Sequence, residues 1–141
     1  MGLYLCVFGS KAADDEVDGV EVGSYDDFHD LRSAVARDLE NGQWGSRFPV
    51  LMSHSDSDGE WSPAEAIALA QELEIIGTEF AALPARGLAA GSWQEGVAGS
   101  LGLAPKTLAE CFIDVDGELL LERLRELALS AVKLDAPISF Q

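Results

Sequence analysis

Apolar residues along this chain switch between strand-like and helix-like spacings, and the switches mark its elements. Leu3 to Phe8 is an almost unbroken apolar run that predicts a strand, and Val20-Glu21-Val22 after Gly19 predicts a second, shorter one. Phe28, Leu31, Val35 and Leu39 then recur at helical spacing until Asn41-Gly42, with Ser24 as the cap and Asp27 as the third helical residue. Phe48 to Met52 is another short apolar run between turn signals, which predicts a strand buried on both faces. Ser62 starts a helix: its hydroxyl can accept from the Glu65 amide while Glu65 reaches back, and Pro63 stands at the first helical position, where no N–H is needed. That helix is expected to bury Ile67, Ala70, Leu73, Ile76 and Phe80, with Gly77 as an early stop and Pro84 as the final one.

The second half is richer in glycine. Ser92 with Glu95 makes another capping box, so Trp93, Val97 and Leu101 are expected along one side of a short helix ended by Gly102. Cys111-Phe112-Ile113 leads into the turn Asp114-Val115-Asp116-Gly117, and Leu120, Leu124, Leu127, Ala131 and Leu134 mark a long helix. Pro137 to Phe140 reads as a last strand. The elements predict one α+β domain over residues 1–141, a small mixed sheet of about four strands with three to four helices on it. A chain of 141 residues buries roughly 68–70% of its unfolded surface, so staples are not required. Cys6 and Cys111 sit in apolar settings without metal-like spacing and read as small hydrophobes.

Charge changes the picture. Nine basic residues against 25 acidic ones leave a formal charge of -16, which disfavours nucleic acid and anionic membranes as partners and favours a basic protein. Between Lys11 and Arg32 there is no base, but there are Asp14, Asp15, Asp26 and Asp27 among eight acids. A second base-free run, Phe48 to Ala85, carries Asp56, Asp58, Glu60 and Glu65. These runs read either as solvated faces or as a surface for a basic partner. No basic flank, cleavage site or membrane-length apolar segment is evident at the N-terminus, and a cytoplasmic protein is expected.

The turn from His54 to Glu65 admits three chemistries. His54, Asp56, Asp58, Gly59 and Glu65 fall at loop positions 1, 3, 5, 6 and 12 of the EF-hand pattern, although a histidine is a poor first ligand for calcium and a strand is expected before it. His54 as a general base lacks a nucleophile, since Ser53 and Ser55 would point away from it in a strand, and His29 lies on a helix beside acids. No enzymatic activity, cofactor or resident metal is therefore expected. The structural reading has Asp56 and Asp58 bonding nearby amides and Glu60 and Glu65 facing the helix N-terminus. Trp61 beside this acidic turn is either a residue packing the helix entry or an anchor for a partner.

Several stretches together resemble the immunity protein 70 family of bacterial polymorphic toxin systems. They include Gly2 to Phe8, Gly19 to Phe28, Gly45-Ser46-Arg47-Phe48-Pro49, His54 to Pro63, Ser100 to Leu103, Cys111 to Glu118 and Pro137 to Gln141. The resemblance implies a small cytoplasmic antidote that binds a cognate toxin and blocks it by occlusion. The partner-binding residues expected from the acidic runs are Asp14, Asp15, Asp26, Asp27, His54, Asp56, Asp58, Glu60 and Trp61, and a nuclease-type toxin with a basic cleft would fit them.

Overall fold

The structure, a computed structural model, describes residues 2–9, 16–55 and 58–141. In chain order its elements are β1 (Gly2–Phe8), β2 (Glu16–Ser24), α1 (Tyr25–Leu39), α2 (Pro49–Ser53), β3 (Glu60–Trp61), α3 (Pro63–Ala81), α4 (Trp93–Leu101), α5 (Leu120–Leu134) and β4 (Ile138–Phe140), with a 3₁₀ turn at Leu108–Cys111. The strands form one sheet in the order β2-β1-β4-β3. Every pairing is antiparallel, so the expected mixture of directions is replaced by a purely antiparallel α+β arrangement. Short connections and returning helices are enough to place each strand beside an oppositely running neighbour.

Alternation along the strands divides the sheet into two faces. Leu3, Leu5, Val7, Val20, Val22, Trp61, Ile138 and Phe140 point into one core with residues of α1, α2, α3 and α5. Cys6 points the other way, opposite Gly19 and Ser139, and is buried outside that core. On this outer face the Tyr4 hydroxyl donates to Glu16 at 2.8 Å, and burial, then that carboxylate, pushes the phenol up to about 12. Gly19 is required there, because a Cβ would collide with the Tyr4 ring.

One element departs from expectation. Phe48 to Met52, expected as a strand, lies mostly in the helix α2, and the third strand is Glu60–Trp61 instead. Pro49 at the first helical position supplies a suitable φ, but the decisive contacts come from far along the chain. The buried Glu72 carboxylate accepts from the amides of Val50 at 3.1 Å and Leu51 at 2.9 Å, the donors a helix start leaves unsatisfied. At the other end Arg32 Nη2 donates to the carbonyls of Met52 and His54 at 2.8 and 2.9 Å, and Trp44 Nε1 donates to Met52 at 2.6 Å. Glu40, also buried, takes the amides of Gly45, Arg47 and Phe48 and so fixes the approach to α2.

Among the other helices, α1, α3 and α4 start at side-chain caps, whereas α5 follows Leu119, which makes no cap bond. Ser24 with Asp27 and Ser62 with Glu65 form complete capping boxes. At α4 the Ser92 hydroxyl accepts from the Glu95 amide, while the Glu95 carboxylate takes Gly91 instead of closing the box. Gly77 does not end α3, which runs on to Ala81, and Ile67 is 52% exposed instead of buried. Leu101 is likewise exposed, and Gly102 ends α4 in the left-handed conformation at φ 68°.

Candidate partner-binding surface

Of the nine expected partner-binding residues, Asp14, Asp15 and Asp56 lie outside the described residues. Asp26, Asp58 and Glu60 are exposed. Ser24 pairs with Gly2 at one edge of the sheet, and the Phe140 amide donates to Gly59 at the other, so Asp26 and Asp58 follow and precede strand ends at the same end of the sheet. Three strand spacings separate those edges, about 14 Å. Glu60 stands opposite Ser139 on the outer face. Asp26 and Asp58, far apart in sequence, thus lie toward the same end of the sheet, while Glu16 of the first acidic run pairs opposite Phe8 at the other end.

Asp27, His54 and Trp61 are committed inside the fold. One Asp27 oxygen accepts from the Ser24 amide at 2.7 Å, the Ser24 hydroxyl at 2.9 Å and the Trp93 indole at 2.9 Å, and the other from Gln94 at 2.6 Å. Burial pushes its pKa up, but the Ser24 amide, Trp93, Gln94 and the Ser24 hydroxyl more than offset this and hold it below the ordinary carboxylate value. Trp61 is 1% exposed, donates to the Val50 carbonyl at 3.1 Å and meets Phe140 edge-on with ring centroids 4.8 Å apart. It packs the entry to α3 from within the core.

His54 stacks on Phe140 at 4.3 Å between centroids, and its two ring nitrogens lie 2.8 Å from the Ser55 carbonyl and 2.9 Å from the Glu60 carbonyl. With both nitrogens facing carbonyl oxygens it is neither a free base nor a free ligand. Glu65, the residue a calcium loop would need as its bidentate ligand, gives one oxygen to the Ser62 amide at 3.0 Å. Among the described residues no group of three or more His, Cys, Asp or Glu side chains is arranged to hold a metal ion. His29 is exposed on α1 and stacks against Trp44.

A hollow of about 360 Å³ opens beside Asp27 and Asp30, but its lining also includes Arg37 and Arg86. Asp38 bridges those two guanidinium groups at 3.3 and 3.4 Å, so this side is electrically mixed and not acidic throughout. The sequence model for Immunity protein 70 matches residues 3–140. The chain belongs to that family. A comparison with curated proteins found no match, nor did one with solved structures. For this immunity-family chain, the match runs through the three exposed acidic positions Asp26, Asp58 and Glu60 and the capping boxes at Ser24 and Ser62, and no described helix is long and apolar enough to cross a membrane.

Proposed function

We propose that this chain is an antidote that binds a cognate bacterial toxin in the cytoplasm, without chemistry of its own, and neutralises it by covering its active site. The observation that carries the reading is the family match over residues 3–140, and the charge of -16 gives it a direction. A toxin that acts on nucleic acid needs a basic cleft, and an inhibitor dense in carboxylates is drawn into such a cleft in competition with phosphate. Asp26, Asp58 and Glu60 are the described, exposed carboxylates that would meet such a cleft, while Asp14, Asp15 and Asp56, expected to join them from the sequence, lie outside the described residues. The test begins with the tagged chain co-purified from its native host and the captured toxin identified. The purified chain should then abolish the toxin's activity at equimolar concentration. Full toxin activity in the presence of excess chain would overturn the reading.

A further inference from the structure

The acidic surface explains attraction but supplies no apolar anchor, and Trp61, the expected one, is sealed in the core. An exposed apolar surface occurs elsewhere, on the outside of the helix layer. α3 leaves β3 and α5 returns to β4, its neighbour, and the Glu74–Arg125 ion pair at 3.9 Å fixes which residues face one another. The two helices run antiparallel, so two turns from that pair Ile67 lies opposite Val132, with Leu129 one turn away on the same side. All three are exposed, at 52%, 37% and 45%. From that pair in the other direction the seam opens into a groove of about 610 Å³, lined by Leu73, Gly77, Ala81, Leu119 and Leu121. Gly77 contributes no side chain, and a Cβ built there would meet nothing within 4 Å.

Acids outnumber bases in the lining of the groove. Glu74, Glu110 and Glu122 line the groove, and the single base in its lining, Arg125, is the partner of Glu74. An apolar strip continuing into an acid-lined groove matches an amphipathic helix, apolar along one face and basic at one end. The geometry points to the α3–α5 seam as the docking site for a basic amphipathic helix of the toxin, an inference that rests on the antidote reading above. The exposed carboxylates near the sheet end then govern how quickly the partners meet, and the seam governs how long they stay together.

Dissociation of the purified, catalytically inactivated toxin from the full chain tests this. Ile67→Asp, Leu129→Asp and the pair Glu74→Lys with Glu122→Lys should each speed dissociation about tenfold or more, as loss of an interface anchor does, with urea midpoints close to wild type. Leu129→Gln, a milder change, serves the same purpose if aspartate unfolds α5. Dissociation unchanged in the folded variants would overturn the seam while leaving neutralisation in place. No binding by the wild-type chain would instead overturn the antidote reading. Sedimentation of the chain alone adds a further arm: a dimer dispersed by Leu129→Asp would make the occupant a second copy and overturn the toxin helix.

Discussion

The carboxylate of Asp27 accepts the indole N–H of Trp93 at 2.9 Å across 66 residues of sequence, while it also caps its own helix. A residue expected at the partner surface fastens α1 to α4. Asp27→Ala should lower stability by about 2 kcal/mol in urea unfolding, through loss of the cap and an unpaired indole N–H. The pH dependence follows from its depressed pKa. Its stabilisation is present above the unfolded value, about 3.9, and is lost as pH falls through the lower folded value, so the gap between wild type and variant should close in acid.

Gly23 passes beneath the same contact. At φ 118° it is in a conformation L residues avoid, and a Cβ there would lie 2.7 Å from the Trp93 ring. Gly23→Ala should therefore cost about 1–3 kcal/mol and weaken the Trp93 contact, seen as a change in tryptophan fluorescence before unfolding.

Glu72 holds the start of α2, and Glu72→Ala should cost about 2 kcal/mol by leaving two amides without acceptors. Burial raises its pKa despite those amides. Its contribution is therefore fully present below the unfolded carboxylate value and declines as pH rises through the folded one, the opposite slope to Asp27. Stability difference between wild type and variant, measured from pH 4 upward, should shrink.

Trp61→Ala should cost about 3–5 kcal/mol as a core truncation, whereas Trp61→Phe should keep the core largely filled and leave toxin dissociation near wild type. A folded Trp61→Phe that released the toxin much faster would restore Trp61 as an anchor.

Local chemistry was legible in the sequence and long-range chemistry was not. The cap at Ser24, the box at Ser62, the stop at Gly102 and the turn at Asp114 depend on residues within four positions of one another, and each is found where its pattern placed it. α2 was hidden because its ends are satisfied by Glu72, Arg32 and Trp44, none of them adjacent to it, and five apolar residues suit a strand as well as a buried helix. The long-range contacts of Trp61 and Asp27 were hidden for a related reason: tryptophan and aspartate look alike in sequence whether they face solvent or each find a partner inside. The only local hint of α2 was Pro49, in a position that suits a first helical turn.

Association kinetics with the purified toxin test the central claim most directly, by stopped flow across a range of salt. The account predicts a rate at low salt that falls steeply as screening shortens to about 8 Å at physiological ionic strength, and a drop of about tenfold or more for Asp26→Lys with Asp58→Lys and Glu60→Lys. An association rate indifferent both to salt and to that triple reversal would contradict it.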